Sequence, residues 1–158
     1  MLISQYAYFA IQSIHLAATE ITARLGVEPD ETKTRGSRQA EPAIPVTHCW
    51  RVVCRKPGLT VDEQISRIVD RLLPHANRIG ALVTELDEAE GGPGSSVLQV
   101  VRVFEHPEGE PEDLRGPVDG LEKLPGQHQL LGWHVDRRTL EFLRITGAEL
   151  DIDEYVYG

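Results

Sequence analysis

Cysteine is scarce in this chain: Cys49 and Cys54 are the only two among 158 residues. Their separation is odd, so on one strand they point to opposite faces and cannot pair. A disulfide framework is excluded, and both read as reduced structural thiols. Long apolar runs are missing as well, none approaching the roughly 20 residues of a membrane span. No basic segment precedes an apolar stretch near the N-terminus, so no secretory signal is expected and the chain reads as cytoplasmic. Lysine and arginine number 16 against 25 acids, for a formal net charge of −9. General nucleic-acid binding rests on basic patches that meet phosphates, and this balance argues against it. The acidity favours solubility and suits a basic protein partner.

Signatures of chemistry are equally sparse. His15, His48, His75, His106, His128 and His134 are scattered, without a helical metal-ligand pair, and the cysteines lack zinc spacing. There is no P-loop, no nucleophile elbow and no dinucleotide fingerprint. The G-G-P-G at residues 91–94 is a turn signal. A nucleophilic cysteine needs a base placed by the fold, which His48 does not supply merely by being next to Cys49. No catalytic residue, metal site or cofactor is predicted.

What the chain does contain is a series of clear periodicities. Residues 6–13 alternate, with Ala7, Phe9 and Ile11 on one face and Tyr6, Tyr8 and Gln12 on the other, as in a half-buried strand. Residues 17–25 carry Ile21 and Leu25 at a helical spacing, closed by Gly26. Residues 27–47 have no steady period and read as a long connection. Residues 48–56 alternate again, with Trp50, Val52 and Cys54 on one face and Arg51 and Arg55 on the other. Residues 60–73 form the clearest helix, with a Thr60–Glu63 capping box and an apolar stripe through Val61, Ile65, Ile68, Val69, Leu72 and Leu73. Pro74 is expected to end it. Residues 75–86 read as a second helix with Ile79, Leu82, Val83 and Leu86 inward, weakened by Gly80.

A Gly-rich turn over 88–96 and an apolar strand over 97–104 follow. Residues 105–129, rich in Pro, Gly and acids, read as a surface loop. Residues 130–135 are expected as a strand with Leu131, Trp133 and Val135 inward. Asp136 then caps a helix that Gly147 closes, and residues 149–157 make the last strand. The length fits one domain, residues 1–158, with long loops at about 27–47, 87–96 and 105–129. The opening and closing units both run strand, helix, glycine, acids. The expected fold is α+β, a mostly antiparallel sheet with helices on one face, in a ferredoxin-like or duplicated β-α-β arrangement.

YAYFAIQS followed by EITARLGVEP opens the chain, His48-x-Trp50 follows a loop containing Gly36, and LGWHV with LRITGAELDIDEYVYG closes it. Together these motifs resemble the bacterial family called domain of unknown function 4279, across nearly the whole chain apart from the acidic loop after Phe104. The resemblance implies a small soluble bacterial α+β protein with no assigned activity, and it carries over no catalytic residue.

Two residue sets remain as candidate sites. Glu149, Asp151 and Asp153 share one face of the last strand, followed by Tyr155 and Tyr157, with alternate residues about 6.5–7 Å apart. Carboxylates so close need solvent, cations or arginines on a neighbouring strand, and Arg51 and Arg55 are the expected neighbours. Parity also puts Tyr6, Tyr8 and His134 outward, so Tyr6, Tyr8, Arg51, Arg55, His134, Glu149, Asp151, Asp153 and Tyr155 make up a candidate ligand or partner surface. The basic, hydroxyl-rich segment 32–38 offers Lys33, Arg35 and Arg38 for an anion, against the plainer reading of a solvated loop.

Three readings stay open. The first is a protein-interaction or accessory module without catalysis, working as a homodimer or on a basic partner. The second is a small-molecule or ion-binding domain using the outer sheet face, with a pocket lined by Tyr8, Arg51, His134 and Asp151. The third is an acid/base or metal-assisted hydrolase using His134 with Asp151 or Asp153.

Overall fold

The computed structural model describes residues 2–105 and 132–157. Their strands are β1 (Leu2–Ser13), β2 (Glu31–Lys33), β3 (His48–Cys54), β4 (Ser96–Glu105) and β5 (Glu149–Tyr157). The helices are α1 (Ala18–Leu25), α2 (Val61–Leu72), α3 (Ala76–Glu90) and α4 (Arg137–Thr146). The strands form one sheet in the order β2-β3-β1-β4-β5. Pairing is antiparallel everywhere except between β4 and β5, which run parallel. A parallel neighbour demands a crossover, and α4 lies within the connection that makes it. The opening unit β1-α1-β3 and the closing unit β4-α4-β5 therefore differ in strand sense.

The helices cover one face. Ala7, Phe9, Ile11, Trp50, Val52, Leu98 and Val100 point toward them and form the core with Ile21, Leu25, Ile68, Leu72, Ile79 and Phe142. Each large aliphatic side chain buried there contributes about 1.5–3 kcal/mol. The core rings Phe9 and Phe142 meet edge to face at 5.4 Å. The buried Trp50 keeps its polar handle satisfied by donating Nε1–H to Thr22 Oγ1 at 3.1 Å, as a core tryptophan requires.

Local signals explain most boundaries. The Thr60 hydroxyl accepts from Glu63 N while Glu63 accepts from Thr60 N, the reciprocal box anticipated for α2. Asp136 accepts from Thr139 N at 2.7 Å and starts α4. Gly26 and Gly147 take the left-handed conformation, φ 70° and 69°, that closes α1 and α4.

Several boundaries differ from expectation. Pro74 bends the chain through a short 3₁₀ turn, Leu73–His75, and α3 continues directly to Glu90. The turn expected from residue 88 therefore begins only at Gly91. Within the connection 27–47, Glu31–Lys33 pairs with β3 as a short edge strand. Residues 132–135 form no strand. The His134 amide donates to Asp62 Oδ1 at 2.8 Å, at the start of α2, rather than to a ladder. Leu130, Leu131 and nearly all of the acidic stretch 105–129 lie outside the described residues.

Candidate interaction surface

The sheet face opposite the helices is built row by row from the strand register. One row runs Glu31, Arg51, Ala10, Val97, Glu149 from β2 to β5. The next runs Val53, Tyr8, Gln99, Asp151, and a third has Tyr6, Val101 and Asp153. Arg55, just past the end of β3, completes that third row by lying over the Tyr6 ring, 3.9 Å from its centroid. Arg51 lies over Tyr8 at 4.3 Å, and the rings of Tyr6 and Tyr8 stack at 6.2 Å. Arg51 also donates from Nε to the buried Cys49 Sγ at 3.2 Å.

This geometry corrects the expected pairing of charges. β1 and β4 separate β3 from β5, so Arg51 and Arg55 do not reach the acidic ladder. Glu31 of β2 takes them instead, at 3.9 Å for Arg51 and 3.1 Å for Arg55. Among the described residues no basic side chain pairs with Glu149, Asp151 or Asp153. The face thus carries Arg51 and Arg55 with Glu31 toward one edge, the carboxylates of β5 along the other, and two tyrosines in between. Opposite charges some three strands apart are separated by about 14 Å, beyond a Debye length at physiological salt. Burial pushes the Tyr8 phenol above its ordinary range, and the charge of Arg51 offsets part of that rise.

Gln99 sits at the centre of this face, flanked by Tyr8 and Asp151. It is 5% exposed, and among the described residues its buried side-chain nitrogen has no hydrogen-bond partner. A buried amide donor left unpaired is costly.

His134 is not part of this surface. Because residues 132–135 form no strand, the parity that placed it beside Tyr8 does not apply. Its ring lies at the start of α2, with Nδ1 3.4 Å from Asp62 Oδ1. The pairing of His134 with Asp151 or Asp153 that a hydrolase reading needs is therefore not made, and among the described residues the cavities around His134, the β3–α2 loop and the 32–47 segment do not bring Tyr8, Arg51, His134 and Asp151 together. Among the described residues no three His, Cys, Asp or Glu side chains converge as a cation would require. Tyr155 is exposed on β5 beyond Asp153.

Lys33 and Arg38 line a cavity of about 470 Å³ with Thr32, Thr34 and Ser37. Arg35 turns to the backbone instead, donating to Val46 O at 3.1 Å.

A larger groove escaped sequence reading. It encloses about 520 Å³ between the start of β1, the β3–α2 loop and Trp133. Gln5, Gln64 and Arg102 line it, with Gln64 1% and Arg102 6% exposed. Arg102 pairs with Glu154 at 2.8 Å, and among the described residues the buried Gln64 Oε1 has no partner. The available signal was a glutamine and an arginine at positions whose period points inward.

The model for the domain of unknown function DUF4279 matches residues 3–157. The chain belongs to this family. Neither the curated proteins nor the solved structures provide a match to this DUF4279 chain.

Proposed function

We propose that this DUF4279 protein is an interaction module that engages a protein partner through its outer sheet face, without catalysis of its own. The observation that carries the reading is the charge arrangement of that face. Among the described residues Glu149, Asp151 and Asp153 have no ion-pair partner, and they share the face with a stacked Tyr6–Tyr8 pair. Aromatic side chains flanked by charge are favoured where proteins meet, since the rings bury area and the charges set orientation. Native mass spectrometry of the protein from its own cells tests the reading, together with Tyr8→Ala and Asp151→Lys. A retained partner mass, a second copy or another protein, that both variants lose is the expected result. A bare monomer that recovers no partner refutes it.

A second reading rests on a different place, the groove of about 520 Å³. The unpartnered Gln64 Oε1 there is suited to accept a hydrogen bond from a small polar ligand. A small added mass that disappears on denaturation, and is absent from Gln64→Leu, supports that reading.

A further inference from the structure

We propose that the partner is a second copy of this chain, stacked outer face to outer face about a two-fold axis parallel to the strands and lying between β1 and β4. This rests on the interaction reading above and names its occupant. The argument is self-complementarity: a two-fold interface uses the same patch on both copies, so each patch must carry both halves of every contact. Most charged surfaces fail that condition. This one meets it, because Arg51 and Arg55 lie on one side of the axis and Glu149, Asp151 and Asp153 on the other, Glu31 of β2 being the carboxylate on the arginine side.

The register says which groups would meet. Rotation about that axis exchanges β3 with the partner's β5 and β1 with the partner's β4, while each row stays in place. Arg55 then faces the second copy's Asp153, and Arg51 faces its Glu149, each contact occurring twice by symmetry. Tyr8 lies over the second copy's Gln99, which is 5% exposed and meets the ring as packing rather than as a hydrogen bond. The small and apolar Ala10 and Val101, 0% and 9% exposed, lie beneath these contacts, with the half-buried Val97 beside them. Aligned sheets pack about 10 Å apart with strands crossing at about 30°, which arginine side chains can span.

The obvious competitor is edge-to-edge addition of β5 to a second β5. An antiparallel pair centred on Asp151 would set Asp151 against its own copy and Glu149 against the second copy's Asp153, and like charges opposite one another oppose pairing. The four strands that overlap, β3, β1, β4 and β5, at about 4.8 Å spacing give a face some 19 Å wide. Such a patch lies toward the small end of specific interfaces, so association in the micromolar range is expected.

Sedimentation of the full chain from about 1 to 100 μM tests the proposal, with Arg55→Glu and Asp153→Arg alone and mixed. Both side chains are surface groups, and circular dichroism checks that each variant folds. Each reversal sets like charges together twice, so each variant alone should associate roughly 100-fold more weakly. Mixing the two restores opposite charges at both contacts, and the mixture should dimerise. As a measurement independent of the variants, raising salt from about 0.05 to about 1 M should weaken the wild-type dimer. A dimer indifferent to both variants overturns the stacking. A wild-type monomer that captures a different, basic protein through Tyr8 and Asp151 overturns self-association and leaves the interaction reading standing. A monomer that captures nothing removes both.

Discussion

The guanidinium of Arg51 sits 4.3 Å from the centroid of the Tyr8 ring, and each changes what the other can do. A cation over a ring face is favourable by about 0.5–1 kcal/mol at a partly exposed site. Burial raises the Tyr8 phenol, and Arg51 pulls it back. Arg51→Met should therefore drive the phenol still higher, read as phenolate absorbance against pH after subtraction of Tyr8→Phe. The sign for stability follows. A phenol raised in the folded state contributes fully below its unfolded value near pH 10, and that contribution is lost as pH rises through the higher folded value. A Tyr8 titration that falls in Arg51→Met contradicts this account.

Glu90, at the end of α3, holds the turn that follows β1. Its carboxylate accepts from the Ser13 hydroxyl and from the amides of Ile14, at 3.1 and 3.0 Å, and of His15, at 3.4 Å. Burial alone would raise this carboxyl, but the Ser13 hydroxyl and the two amides outweigh it and hold it below the ordinary range. A depressed carboxyl contributes stability above its unfolded value of about 4.3, and the contribution is lost as pH falls through the lower folded value. Glu90→Gln should cost about 1 kcal/mol near neutral pH and flatten the acid limb of the stability curve. Urea unfolding at neutral pH and near pH 3 checks both, and an unchanged acid limb would rule the bonds out as its source.

Elements with a strong local signal were legible. The Thr60–Glu63 box and the stripe of α2 were explicit, since capping and the helical period depend only on neighbours in sequence. The alternation of β1 and β5 likewise identified the outer face and its tyrosines and acids. Strand order was not legible, because it depends on partners distant in the chain. Hence Arg51 was set against Asp151, when two strands lie between them and Glu31 takes the arginine. β2 escaped because three residues are too few for a period, and its pairing comes from β3. Alternating burial at residues 133–135 imitated a strand, while Asp62 in fact captures the His134 amide. Gln64 and Arg102 were visible as polar residues on inward faces, yet the groove they line exists only after β1, α2 and Trp133 come together.

Asp30 was silent in the sequence and is central in the fold. Its carboxylate accepts from Arg71 Nη1 at 2.8 Å on both oxygens and from Val53 N at 2.7 Å. Its own amide donates to Arg51 O at 2.7 Å. One side chain thus ties the α1–β2 connection to α2 and to β3. Asp30→Ala should lose about 1–2 kcal/mol, the ion pair being partly exposed and screened. Asp30→Asn, which keeps an acceptor for Val53, should fall between Ala and wild type in thermal melting. An Asn variant no better than Ala would mean that the charge on Arg71 alone matters.

Gly80 weakens α3 on helix propensity, yet the packing requires it. A Cβ placed there would collide with the carbonyl oxygen of Ile145 and lie 3.3 Å from its carbon, both in the α4 backbone. Backbone cannot swing aside as a long side chain can, so α3 and α4 would have to separate. Phe142 sits on α4 and meets Phe9 at 5.4 Å, so the shift would reach the centre of the core. On an exposed helix, glycine to alanine stabilises by about 0.8–1 kcal/mol. Forcing a methyl into close packing costs about 1–3 kcal/mol and should win here. Gly80→Ala is accordingly expected to lower the melting temperature, with Gly80→Val worse than Ala. A raised melting temperature in Gly80→Ala would show that propensity dominates and that the two helices are free to move apart.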